Sequence, residues 1–128
     1  MPLWLSEAAV KAMYAQLIRE HGGAVGPINE NKLGATLARP KQRDHYNQSA
    51  ISLAELAAAY GFGFAKNHCF VDGNKRVALA AIDVFLQRNG FELVADEADA
   101  VITIQALAAG SLEEHVLAEW ISSNMREL

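Results

Sequence analysis

Apolar residues recur along most of this chain at intervals of three and four, the spacing of one helix face. From Ser6 to His21 they fall at Val10, Met13, Tyr14, Leu17 and Ile18. Ser6 suits an N-cap, and Gly22-Gly23 suits a stop. The stretch from Gly22 to Asn29, with Pro27, reads as turns, and a short helix is expected from Asn29 to Leu37. Pro40 should end it, because proline disfavours helical geometry in the residue before it. The polar run 41–49 (Lys41 to Ser49) then reads as an exposed flap or small hairpin. A strong helix is predicted from Ala50 to Ala65, with Leu53, Leu56, Ala57, Tyr60 and Phe64 on one face. Another, from Asn74 to Asn89, is apolar almost all round and is expected to be the buried central helix, ended by Gly90. Phe91 to Val94 could be a short extended piece. Two more helices fit Asp96 to Ala109 and Ser111 to Met125, the second opening on the capping-box pattern Ser111-Leu112-Glu113-Glu114.

No pair of alternating strands, repeat or linker interrupts this series. The expected architecture is therefore all-α, a single compact domain over residues 1–128 with a small flap or hairpin before the central helices. A chain of 128 residues, 52% hydrophobic, is large enough for one core and too apolar for a disordered tail. There is no apolar run of membrane-spanning length and no leader-like start, so a soluble, cytoplasmic protein with no membrane partner is expected. The single cysteine, Cys69, excludes an internal disulfide and a cysteine metal cluster. A net charge of −4, without a cluster of cations large enough to offset it, argues against nucleic-acid binding.

The chemistry concentrates between the two most apolar helices, in Lys66-Asn67-His68-Cys69-Phe70-Val71-Asp72-Gly73-Asn74-Lys75-Arg76. A connecting loop there needs only a cap and a glycine. This one carries an imidazole, a carboxylate, two amides and three cations. Gly73 can take positive φ and let successive N–H groups converge on an anion. Asn74 and Lys75 open a helix whose unpaired amides and dipole favour negative charge. Lys75 and Arg76 add full charges, and cations in a first turn oppose the helix dipole unless an anion is expected there. Asp72 would repel bound phosphates unless a divalent cation lay between, so it reads as a magnesium ligand. His68 can accept a hydroxyl proton near neutral pH, and Phe70 should turn inward and anchor the loop. Each feature alone has an ordinary explanation: a capping histidine, or an Asp-Gly-Asn turn. As one ordered set they describe a phosphate site.

His68 to Arg76 resembles the signature of the Fic/Doc superfamily, His-x-Phe-x-Asp/Glu-Gly/Ala-Asn-Gly/Lys-Arg, at every specified position. Ala35-Thr36-Leu37-Ala38-Arg39-Pro40 resembles an upstream segment of Doc-like proteins, and Gly22-Gly23 and Phe85 to Gly90 also fit that branch. The resemblance implies His68 as general base, Asp72 as metal ligand, and Gly73, Asn74, Lys75 and Arg76 as a phosphate cradle. It also implies Mg2+ and ATP, or another nucleoside triphosphate, as cofactor and co-substrate. Lys66 stands where Doc-like proteins often carry Arg, and the resemblance implies that it joins the phosphate-binding set; Cys69 stands where many members carry Pro.

The branches differ at two positions. Fic members, which typically transfer AMP, usually have Gly at the place of Lys75 and a second Arg at the place of Leu79. Doc members keep the Lys and transfer the γ-phosphate. The resemblance thus implies a toxin that phosphorylates a Ser/Thr hydroxyl of a protein target, of the translation elongation factor Tu type, and arrests growth. A Fic-type adenylyltransferase and a non-catalytic interaction module are the alternatives. Self-inhibited Fic proteins carry Ser/Thr-x-x-x-Glu-Gly/Asn. Here the nearest sequence, Ser123 to Leu128, ends in Leu, so a separate antitoxin is the expected brake. His21, His45 and His115 are assigned to surface or packing, and Trp4 and Trp120 to core or interface anchors.

Overall fold

The computed structural model describes residues 2–48 and 50–128; Met1, and Ser49 of the predicted flap, lie outside the described residues. Six helices and two short strands run in the order α1 Glu7–His21, α2 Glu30–Tyr46, α3 Leu53–Lys66, α4 Asn74–Arg88, β1 Phe91–Leu93, α5 Glu97–Ala109, α6 Glu114–Ser123 and β2 Met125–Glu127. The all-α expectation holds. Local chemistry explains most of the boundaries. Ser6 Oγ accepts the Ala9 N–H at 3.0 Å to start α1, and Gly22, at φ 75°, ends it by donating its N–H to Ile18 O. Ser52 and Glu55 form a reciprocal capping box at the start of α3.

Three expectations are corrected. Helix α2 does not stop before Pro40; it runs through the proline to Tyr46, so the stretch read as a flap is helical as far as residue 46. Proline removes a backbone donor, which normally breaks a helix. Here side chains beyond the local pattern hold the segment. Arg39 and Arg43, one turn apart, converge on the Glu114 carboxylate of α6, with Nη1–Oε2 distances of 3.0 and 2.8 Å. Arg39 also lies over the Phe62 ring, 5.4 Å from its centre. That same engagement corrects the second expectation. Glu114 serves α2 rather than a capping box, Ser111 Oγ donates to Ala106 O, and α6 begins at Glu114 with no side-chain cap. Its end also moves: α6 stops at Ser123, and Met125 opens β2, which pairs antiparallel with β1 in the register Phe91↔Glu127, Glu92↔Arg126, Leu93↔Met125.

The third correction concerns depth. The helix at the centre is α3, packed against α2, α4, α5 and α6, whereas α4 keeps a partly exposed side. The cause is side-chain size. Ala57, Ala58, Ala59, Gly61, Gly63 and Ala65 give α3 a thin outline that neighbours approach closely. A Cβ on Gly61 would stand 2.6 Å from Ile82 Cδ1, and one on Gly63 would stand 2.8 Å from Thr36 Cγ2. The bulk comes from aromatic residues. Tyr60 packs on Phe85 with centroids 5.0 Å apart, and its hydroxyl accepts the Leu5 N–H at 3.1 Å.

Candidate active site

The loop between α3 and α4 alternates between anchors and exposed groups. Asn67 closes α3 by donating its N–H to Gly63 O. His68 follows with φ 51°, a left-handed conformation uncommon outside glycine, and its side chain reaches solvent. Cys69 and Phe70 then turn inward. The Phe70 ring stacks on Tyr14, centroids 4.2 Å apart, and on Phe64. Val71 and Asp72 turn outward again, and Gly73, at φ 83°, starts α4.

Asn74 grips this loop with both ends of its side chain. Its Nδ2 donates to Phe70 O at 2.9 Å, and its Oδ1 accepts the Phe70 N–H at 3.1 Å. The amide group expected in the phosphate cradle is therefore spent on the loop, leaving the backbone N–H of Asn74 to face an anion. Helix α4 has no side-chain cap and no acid in its first turn. Among the described residues the N–H groups of Asn74, Lys75 and Arg76 meet no protein acceptor, and neither cation makes an ion pair. Unpartnered amides and two cations without an ion-pair partner are thus collected at one helix end.

The opposite wall comes from the end of α1 and the turn after it. Ala24 N–H donates to Asp72 Oδ2 at 3.2 Å, while Gly73 N–H donates to Oδ1 at 2.8 Å. Those two amides, with the nearby Arg76 and Lys75 charges, hold the Asp72 carboxyl below the usual carboxylate range. Arg76 Nη1 donates to Gly22 O at 3.3 Å. Between the walls lies a cavity of about 500 Å³ that brings together His68, Asp72, Gly73, Asn74, Lys75 and Arg76. His21, Gly22 and Gly23 also line it, with Ala108 from α5. His21 is exposed, in keeping with its assignment to surface or packing, but nothing in the sequence shows that it and the turn after it face the motif loop. The Ala24–Asp72 contact spans 48 positions, and no local pattern announces it.

Lys66 does not line the cavity. Its Nζ lies 3.5 Å from where a Cβ on Gly110 would stand, at the C-terminal end of α5, an end that favours a cation. Leu79 lines a separate apolar hollow of about 290 Å³ with Val101 and Ile104, beside Lys75 and Arg76. Trp4 stacks on Phe85, and Trp120 Nε1 donates to Asp99 at 2.9 Å. Among the described residues no three His, Cys, Asp or Glu side chains group into a metal cage. One ionised, exposed carboxylate beside an anion-binding helix end does suit magnesium, which is usually held by one or two carboxylates plus phosphate oxygens and water.

The Fic/DOC family model matches residues 4–86, which include the loop, both walls and the start of α4. The chain belongs to the Fic/DOC family. Two relatives place it on the Doc-like side. Toxin Doc of Mycolicibacterium smegmatis is 40% identical over 75 residues, covering 59% of this chain and 58% of that protein. Protein kinase doc of Escherichia phage P1 is 30% identical over 115 residues, 90% of each chain. Within this Doc-like member, Gly23 and Gly26 hold the α1–α2 turn close to the loop. A Cβ on Gly23 would stand 3.1 Å from Asp72 Oδ2, and one on Gly26 would stand 2.6 Å from Val71 Cγ2. Among the described residues, no helix is long and apolar enough to cross a membrane.

Proposed function

We propose that this chain is a Doc-type toxin that moves the γ-phosphate of ATP, or another nucleoside triphosphate, to a Ser/Thr hydroxyl of a protein target. The target proposed from the resemblance is a translation elongation factor of the Tu type, with growth arrest as the outcome and a separate antitoxin as the brake. The work would be cytoplasmic, where nucleotide and target meet. The names of the two relatives support the toxin and kinase readings. The single observation that carries the choice of phosphate transfer is the pair Lys75 and Leu79. A free lysine stands at the start of α4, and one turn on, where a second guanidinium would be needed to hold a diphosphate, there is an apolar hollow.

The residues then divide the chemistry. The amides at the start of α4, with Lys75 and Arg76, hold the phosphate chain and offset the negative charge that spreads over it during transfer. Asp72 would hold magnesium, which when bound would supply positive charge to offset that of the phosphates. His68, at the open side of the cavity, accepts the proton as the target oxygen bonds to the γ-phosphorus. The β–γ bridging P–O bond breaks, and the nucleoside diphosphate leaves with that electron pair.

The test is incubation of a host lysate with the protein and ATP labelled at the α- or the γ-phosphorus, followed by mass spectrometry of the labelled band. The expected result is γ-label only, a mass gain of one phosphate, and a loss of about 10²–10⁴-fold in His68→Ala, the span a general base supplies. Transfer of the α-label would make the adenylyltransferase reading the correct one.

A further inference from the structure

We propose that Thr36, in the middle of α2, is a positioning residue for His68; this rests on the reading of His68 as the base. Thr36 is 1% exposed. Its hydroxyl donates to Lys32 O at 2.7 Å, accepts from Asn67 Nδ2 at 2.8 Å, and lies 3.4 Å from Cys69 Sγ. A hydroxyl has one proton and two lone pairs. The proton is committed to Lys32, so the lone pairs face Asn67 and Cys69, and the thiol is the donor in the third contact. Back-bonding of threonine to the carbonyl four residues earlier is common in helices. What sets Thr36 apart is where the two remaining contacts go: to the residues immediately before and after His68.

The backbone repeats the arrangement. Asn29 N–H, at the head of α2, donates to Cys69 O at 2.8 Å, and Asn67 N–H is held by Gly63 O. Both neighbours of His68 are thus fastened, while its imidazole makes no hydrogen bond among the described residues. The backbone, which sits at φ 51°, therefore fixes where the His68 Cα–Cβ bond starts the side chain. A non-glycine residue keeps such a conformation only where its surroundings over-determine it. Thr36 supplies that constraint through side chains on both sides at once. Gly63 makes the approach possible, since a Cβ there would stand 2.8 Å from Thr36 Cγ2. Without the hydroxyl, the Asn67 amide and the Cys69 thiol lose their shared acceptor, and the turn through His68 is free to relax. A displacement of about 1 Å in a reacting group can cost on the order of 10²-fold in rate.

The experiment compares Thr36→Val, which keeps the shape and removes the hydroxyl, with Thr36→Ser, which keeps the hydroxyl and removes the methyl. Two quantities are read: the rate of γ-label incorporation into lysate proteins at varied ATP, and the imidazole NMR signals of histidine-labelled protein. The His68 signal is assigned by its loss in His68→Ala. In Thr36→Val we expect the rate at saturating ATP to fall about 10–100-fold with KM for ATP within about threefold. The His68 signal should broaden or double while those of His45 and His115 stay put. Thr36→Ser should restore the rate and the single signal even where its melting temperature is lower. The proposal is overturned if Thr36→Val changes only the melting temperature, or if Thr36→Ser loses as much activity as Thr36→Val. If the wild-type protein labels nothing, the base reading fails by itself, and a single sharp His68 signal in Thr36→Val would still overturn the positioning. Should Thr36→Val not fold, Asn67→Ala removes the partner instead of the hydroxyl and is put to the same two measurements.

Discussion

Replacing Asn74 by Ala separates two jobs that the sequence motif lends to one residue. The Asn74 side chain makes two hydrogen bonds, both to the backbone of Phe70 in a partly buried setting. Each contributes roughly 0.5–1.5 kcal/mol net, so deleting the side chain should cost about 1–3 kcal/mol. For a domain of this size, where each kcal/mol moves the melting temperature by roughly 3–4 °C, the expected fall is about 3–12 °C. His68 and Asp72 lie two residues either side of Phe70, so the proposed phosphate transfer should slow as well. The backbone N–H of residue 74 survives the change, and with it the anion-binding helix end, so nucleotide affinity should move by less than about threefold. The assay is a thermal melt beside a fluorescent-nucleotide titration on the same samples. An unchanged melt with nucleotide binding lost would refute the clamp and return the Asn74 amide to the phosphates.

Two further outcomes follow from the same geometry. Asp72→Ala should weaken nucleotide binding in magnesium and leave it nearly unchanged in chelator, since the carboxylate acts through the ion; equal effects in both, by calorimetry, would contradict that. Burial pushes the Tyr60 phenol and the Cys69 thiol above their ordinary values. In the unfolded chain these groups ionise near 10 and 8.5 respectively. Their stabilising contribution is therefore complete below about pH 8 and is lost as pH rises through those values toward the raised folded ones. Melts from pH 7 to 11 should show a steeper alkaline decline in the wild type than in a Tyr60→Phe/Cys69→Ala variant, and parallel curves would count against it.

Much of this architecture can be read from the chain where the determinant is local. Ser6 and Gly22 bound α1, and apolar periods locate α1, α3 and α4. The order His68 to Arg76 marks the chemistry because its residues act within one loop and one helix start. The misreadings share a different cause. Pro40 looks like a stop until Arg39 and Arg43 find Glu114, more than 70 positions away. Ser111 and Glu114 look like a cap until that ion pair claims the glutamate. The pairing of β2 with β1 joins segments more than 30 positions apart, and three residues carry no detectable alternation of their own. Depth was misjudged in α3 because alanine and glycine report on what neighbours do, which only packing reveals. In the site, the same limit hid the wall at Gly22 to Ala24 and the commitment of the Asn74 amide to Phe70.

The pairing at the far end of α4 has a practical consequence for handling the protein. Leu3 exchanges hydrogen bonds with the Asn89 side chain, and Leu128 N–H donates to Gly90 O. Residues 3 and 128 are thus tied to adjacent positions just past α4. That helix has 15 residues, a length of about 22 Å, and its other end carries Lys75 and Arg76. An affinity tag or fluorescent fusion attached beside residue 3 or residue 128 would emerge a full helix length from the cavity beside Lys75 and Arg76. Immobilising the protein through such a handle keeps the cavity open to solution. The attachment point should still spare residues 3 and 125–128, whose backbone groups hold the two ends in place.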